Sequence, residues 1–186
     1  MKRLFDLIFA SILFVVFLLP MLLVAVLVRL TSNGSVFYWS NRVGKDGVIF
    51  SMPKFRSMKT NTNQVATHLM ENPKSHLTLI GGFLRKTSLD ELPQLFSVLR
   101  GDLSFVGPRP ALFNQYDLIE LRTDKKIDRL VPGITGWAQI NGRDELSILD
   151  KVKYDEEYLI RATFTFDLKI LWLTLIKVFF GRGVSH

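Results

Sequence analysis

The sequence predicts an α+β protein, mostly helical, with a membrane-embedded N-terminal segment ahead of one small domain. Three observations carry this prediction. A long apolar run fills the N-terminus, two short strand-like pieces flank a glycine turn soon after it, and the rest alternates helical periodicity with Gly- and Pro-rich loops. The chain has 186 residues, of which 48% are hydrophobic, enough for one domain and a small extra element. Residues 1–30 are assigned to the membrane segment and 31–186 to the domain.

Lys2 and Arg3 precede an apolar run from Leu4 to Val28, interrupted only by Asp6, Ser11 and Pro20, and Arg29 closes it. At ~1.5 Å per residue the run reaches about 37 Å, more than the ~30 Å of a hydrocarbon core. It is too long for a signal peptide, and no small-residue cleavage pattern follows, so the segment stays and anchors the protein. Pro20 has no N–H and its ring meets the carbonyl of Val16, which predicts a bend. Positive charge flanks both ends: Lys2 and Arg3 before, then Arg29, Arg42 and Lys45 after. Both ends lie on the cytoplasmic side only if the segment turns back on itself. A single-pass anchor with a tolerated proline is the other reading, and these residues alone do not separate the two. Asp6 falls near the interface in either.

Beyond the turn signal Ser32-Asn33-Gly34, Val36–Trp39 reads as a strand, Gly44–Gly47 as a turn and Val48–Phe50 as the returning strand: a small β-hairpin. Phe37, Tyr38 and Trp39 fit either the headgroup layer or a strand core. Asn61–Ser75 reads as a polar loop. Leu92, Leu95, Phe96 and Leu99 share a face of a helix near Ser88–Arg100, stopped by Gly101. Leu103–Val106 is a short apolar piece leading into the rigid loop Gly107–Pro110. Leu112–Leu130 reads as a helix, Val131–Arg143 as a structured loop, and Leu146–Arg161 as another helix. The apolar helix Leu168–Phe180 is too short to span. It lies either flat in the interface, with Trp172 and Phe179 inserted, or in the core.

The formal net charge of +7 points to an anionic partner: nucleic acid, an anionic membrane or a phosphorylated ligand. The basic residues are scattered and no groove-reading motif is present, which disfavours nucleic acid. With no cysteine in the chain, a thiol nucleophile, a Cys-ligated zinc and a disulfide framework are excluded. His68, His76 and His186 lack metal-ligand spacing and read as surface residues.

Chemistry concentrates in Arg85-Lys86-Thr87-Ser88-Leu89-Asp90-Glu91-Leu92-Pro93-Gln94. Ser88 and Glu91 have the spacing of a capping box, and acidic residues favour helix N-termini in any case. Pro93 complicates that box, because as the fifth helical residue it would lack a bonded N–H. Capping by Asp90 would place Pro93 in the first turn instead. The functional reading rests on Arg85, Lys86 and Arg109. A carboxylate among arginines at a helix start stays ionised, which suits a nucleophile or a ligand for Mg²⁺, and arginines suit phosphate recognition.

Taken in order, Arg42-Val43-Gly44, Lys54-Phe55-Arg56-Ser57-Met58, Arg85 through Asp90-Glu91-Leu92-Pro93-Gln94, Gly107-Pro108-Arg109-Pro110, Pro132-Gly133-Ile134-Thr135-Gly136, Asn141-Gly142-Arg143, Tyr154-Asp155 and Asp167-Leu168-Lys169-Ile170 cover almost the whole chain. In these motifs the chain resembles the small monotopic polyprenol-phosphate phosphoglycosyl transferases of the bacterial sugar transferase family. The resemblance implies a UDP-sugar donor, undecaprenyl phosphate as acceptor, Mg²⁺ as cofactor and residence at the cytoplasmic face of the bacterial inner membrane, among its lipids. It implies that Asp90 attacks the sugar-bearing phosphate, releases UMP and holds the phosphosugar until the lipid phosphate takes it. Glu91 would bind Mg²⁺ or prepare the acceptor. Arg85 and Arg109 match positions near the phosphates, and Lys54, Arg143 and Asp155 match motif residues assigned to substrate binding. The N-terminal segment becomes a re-entrant helix broken at Pro20, with amphipathic interfacial helices around the catalytic domain. Leu19-Pro20 departs from the Ser-Pro often found at that break, and Ser35 stands where the family often has proline. The oligomeric state stays open, a homodimer included, and so does the sugar.

Two rival classes make different demands on these residues. A non-catalytic membrane-anchored scaffold would release no UMP from any UDP-sugar. A glycosidase needs two carboxylates flanking its substrate at about 5 Å or more, which sequence neighbours at a helix start serve poorly.

Overall fold

The computed structural model describes residues 1–60, 62, 73–142 and 145–180. The loop Asn61–Ser75 lies largely outside them, as do His68, Arg143 and His186. The fold is α+β and helix-rich, as the sequence predicts.

Lys2–Thr31 forms one helix, α1, with Pro20 inside it. Asp6, Ala10, Met21, Val24 and Val28 make its buried stripe, while Leu4, Ile8, Val15, Leu19, Leu23 and Leu30 are exposed. The stripe lies against the domain along the whole helix. Phe9 meets Phe105 with centroids 4.9 Å apart, and Phe14 meets Phe96 at 4.9 Å. Met21, Val24 and Val28 pack with Phe55 and Leu84.

The N-terminal end of α1 is fastened by polar groups. Lys2 Nζ donates to Asp167 Oδ2 at 2.6 Å and to the Val106 carbonyl at 2.9 Å. The Tyr158 hydroxyl donates to Asp167 Oδ1 at 2.6 Å. Burial and that carboxylate push the Tyr158 hydroxyl upward, so it stays a donor. Asp6, which the sequence places near the interface, is buried and accepts from the Phe105 N–H at 3.2 Å.

A two-stranded antiparallel ribbon follows: β1 (Phe37–Val43) and β2 (Ile49–Phe55), joined by a 3₁₀ turn at Lys45–Gly47. Tyr38 faces Lys54 and Arg42 faces Phe50 across the ribbon. The period of two puts Tyr38, Ser40 and Arg42 on one face with Phe50, Met52 and Lys54. Ser40, Phe50 and Met52 are buried there, whereas Trp39 on the other face is exposed. Phe37 stacks on Phe55, so the aromatic trio divides between core and surface.

Residues 111–113 then run along the free edge of β1, the Val43 N–H donating to the Ala111 carbonyl at 2.9 Å. That pairing delays the helix expected from Leu112: α4 spans Tyr116–Asp124 only. Lys126 in the left-handed region, φ 59°, ends it before a 3₁₀ turn at Ile127–Arg129.

A second, parallel pair joins β3 (Ser104–Val106) to β4 (Gly133–Thr135), and the short helix α5 (Trp137–Asn141) follows. The glycines of this stretch predict a structured loop over Val131–Arg143, whereas the structure forms β4 and α5 within it. Their role is close approach: a Cβ on Gly133 would stand 2.1 Å from the Gly107 nitrogen, and one on Gly136 2.1 Å from the Gly107 carbonyl oxygen. Helix α6 (Ile148–Arg161) starts at Ser147, whose Oγ accepts from the Asp150 N–H at 3.1 Å. In α7 (Phe164–Phe180), Phe166 and Ile170 are core residues while Trp172, Leu175 and Val178 are exposed. Core packing and an outward apolar face thus occur on opposite sides of one helix; the side chain of Phe179 lies outside those described.

Candidate active site

Helix α2 (Gly81–Lys86) ends at Thr87, and the chain reverses at Ser88, which has φ 57°. Leu89–Glu91 is a 3₁₀ turn, and helix α3 (Gln94–Arg100) begins only after Pro93. The capping box does not form: Ser88 makes no side-chain cap bond, and its own N–H goes to the Arg85 carbonyl. Pro93 is the physical reason. It has no N–H to return to the turn before it, which disfavours an α-helix that starts at Ser88. Glu91 does not reach back to the Ser88 N–H, which is bonded to the Arg85 carbonyl.

Glu91 Oε1 accepts from Lys54 Nζ at 2.7 Å and from the Arg109 guanidinium at 3.4 Å. Lys54 arrives from the inward face of β2, and Arg109 from the loop after β3. Asp90 is buried, with 7% of its surface exposed. Burial pushes its carboxyl up to about 6; Lys54 and then Arg85 oppose this, and Glu91 adds to it. Burial also lowers the Lys54 ammonium, against the pull of Glu91. The structure thus brings Lys54, Asp90, Glu91 and Arg109 together, with Arg85 near enough to act on Asp90.

A step that needs Asp90 as an anion follows its ionisation. Below pH 6 the ionised fraction falls about tenfold per unit. The rate of such a step, measured under single turnover, is expected to level above pH 7 and drop about tenfold between pH 7 and pH 5. A profile flat down to pH 4.5 would contradict this role for Asp90.

Among the described residues no cluster of three or more His, Cys, Asp or Glu could hold a metal ion. Asp90 and Glu91 are a pair of hard oxygen donors. That set fits Mg²⁺, which is commonly bound by one or two carboxylates together with substrate phosphates rather than in an all-protein cage.

The model of the bacterial sugar transferase family matches residues 1–181. The chain belongs to the bacterial sugar transferase family. It is 42% identical to the uncharacterized sugar transferase EpsL of Bacillus subtilis, over all of this chain and 91% of that relative. It is 35% identical to the exopolysaccharide production protein ExoY of Rhizobium meliloti, over 98% of this chain and 87% of the relative. It is also 42% identical to the UDP-glucose:undecaprenyl-phosphate glucose-1-phosphate transferase of Escherichia coli, over 98% of this chain but only 41% of that longer protein.

Two more residues of this transferase were expected at the site, Arg143 and Asp155. Arg143 lies outside the described residues. Asp155 is 1% exposed and paired with Arg122, which donates from Nε at 3.0 Å and from a terminal nitrogen at 2.6 Å. The other terminal nitrogen of Arg122 donates to the Arg109 carbonyl at 2.8 Å. Asp155 therefore holds the backbone of the Arg109 loop through Arg122. Sequence reasoning missed Arg42 and Arg122 in the site. Arg42 carries a legible signal, since an arginine on the buried face of a two-residue alternation needs an explanation; Arg122, on an outwardly charged helix, carries none.

Proposed function

We propose that this chain transfers a sugar 1-phosphate from a UDP-sugar to undecaprenyl phosphate, releasing UMP through a phosphosugar held on Asp90. The observation that carries the reading is the buried Asp90 carboxylate beside Glu91, ringed by Lys54, Arg85 and Arg109. An Oδ of Asp90 forms a bond to the sugar-bearing phosphorus as the bond to the bridging oxygen breaks, and UMP leaves with that electron pair. A phosphate oxygen of undecaprenyl phosphate then attacks the same phosphorus, and the Asp90 carboxylate is freed. Lys54 and Arg109 are placed to neutralise charge on the transferring group. Glu91 and Asp90 would hold Mg²⁺ together with the substrate phosphates, and the ion would neutralise further charge on the diphosphate. The names of the relatives favour UDP-glucose as the first donor to test.

The same reading places α1 as a re-entrant helix, turning at Pro20 within the cytoplasmic leaflet of the inner membrane. Its support is the contact of α1 with the domain at both ends, Lys2 with Asp167 and Val28 in the cluster with Phe55 and Leu84. At ~1.5 Å per residue those contacts lie about 40 Å apart along the helix. A perpendicular span would drag the Lys2–Asp167 and Lys54–Glu91 pairs toward opposite faces of the bilayer, against the cost of charge in hydrocarbon. The outward apolar face of α7 suits an interfacial position.

The test is to mix enzyme, Mg²⁺ and a panel of UDP-sugars without lipid acceptor. One UMP released per enzyme, with one or a few sugars, is expected. Release that requires undecaprenyl phosphate would sink the two-step scheme.

A further inference from the structure

Arg42 sits on the inward face of the ribbon, next to the charged groups just described. Its Nε donates to Ser40 Oγ at 3.0 Å, and one terminal nitrogen donates to the Pro110 carbonyl at 3.1 Å. These bonds leave the second terminal nitrogen unengaged among the described residues. The carbonyl that holds it belongs to the residue after Arg109, and the two guanidiniums are near enough to act on one another.

Burial and the proximity of Arg109 lower the Arg42 guanidinium to about 10, with Glu91 and Tyr38 opposing. Glu91 Oε1 already accepts from Lys54 and Arg109. Arg42 acts on the same carboxylate through space, and Asp90 is close to Lys54, so among these described side chains three cations share two carboxylates. Two half-buried guanidiniums that act on one another repel unless an anion answers them. A phosphate group answers them best, since its oxygens match the fork of donors. Arg42 is also only half-buried, so a ligand can reach it.

We propose that Arg42 is a phosphate-binding residue of the active site, forming with Arg109 a two-guanidinium clamp on substrate phosphate. This rests on the function proposed above and names a further residue for it. The shared chemistry is a phosphate, either the diphosphate of the donor or the phosphate of the polyprenol acceptor. The bland alternative is that Arg42 only straps residues 110–112 to β1.

The experiment is direct binding in detergent, without turnover, of UDP, uridine and undecaprenyl phosphate to the wild type, Arg42→Gln and Arg42→Lys. Loss of a charge-assisted, forked contact should weaken a phosphate ligand about 10- to 100-fold in Arg42→Gln, and the lysine variant should lose about severalfold. Uridine, which carries no phosphate, should bind as before. A loss confined to UDP assigns the clamp to the donor, and one confined to undecaprenyl phosphate assigns it to the acceptor; either supports the proposal. Unchanged affinity for both overturns it, and so does an equal loss for uridine, which marks a structural strap. Should the glutamine variant fail to fold, wild-type affinity for both phosphate ligands in the lysine variant overturns the clamp. Because no turnover is measured, a failure of UMP release would sink the proposed function without deciding Arg42. Intact UMP release with unchanged affinities would sink only Arg42.

Discussion

Asp90→Asn is expected to abolish transfer while raising the melting temperature at pH 8. The loss of rate should be about 10⁴-fold or more, as for removal of other nucleophiles. The stability change follows from linkage. The Asp90 carboxyl is raised to about 6 in the folded protein, chiefly by burial, against about 3.9 in an unfolded chain. A raised carboxyl lends stability below the unfolded value, and that stability is lost as pH rises through about 6. Two units correspond to roughly 3 kcal/mol, an order-of-magnitude figure. Asparagine carries no charge to desolvate, so the variant should melt roughly 5–10 °C above the wild type at pH 8. The gap should close toward pH 4. A variant that melts lower than the wild type at pH 8 would show that the carboxylate is well solvated or well paired, contrary to the account of a site built at the expense of stability.

Asp155→Ala is the substitution expected to cost most in stability. It would leave Arg122 buried without its carboxylate, and breaking such a pair costs about 3–5 kcal/mol, on the order of 10 °C in melting temperature for a domain of this size. Burial raises the Asp155 carboxyl, and Arg122 holds it down. The double substitution Asp155→Leu with Arg122→Met removes both charges and should recover much of that stability. It should not recover activity, because the bond from Arg122 to the Arg109 carbonyl is lost with the guanidinium. The expected signature is a raised KM for the UDP-sugar with a smaller change in kcat. Full activity in the double variant would show that the Arg109 loop needs no such support.

The helices with clean periodicity were legible in the sequence: α1 from its apolar run, α6 and α7 from their spacing, and the ribbon from its glycine turn. What stayed hidden shares one cause, a tertiary contact overriding a local signal. Ala111 pairs with Val43, which holds residues 111–113 extended at the expense of the helix expected there. Gly133 and Gly136 read as loop formers, yet they let β4 and the turn after it lie against Gly107. At the site, Pro93 complicated the Ser88–Glu91 capping box and pointed to Asp90 as the alternative cap; the structure makes neither, and α3 begins at Gln94 after Pro93. Asp155 was legible only as part of a motif; its place behind Arg122 depends on how α6 meets α4, which no local pattern reveals. Arg42 could have been found from strand alternation alone.

The central claim is that Asp90 carries the phosphosugar between two half-reactions. The measurement that meets it most directly is the intact mass of the full-length enzyme after mixing with Mg²⁺ and its UDP-sugar, with no lipid acceptor, followed by peptide mapping. The account predicts a mass gain of one phosphosugar, located on Asp90, absent from Asp90→Asn and discharged when undecaprenyl phosphate is added. An unmodified enzyme that nevertheless completes transfer once both substrates are present would contradict it.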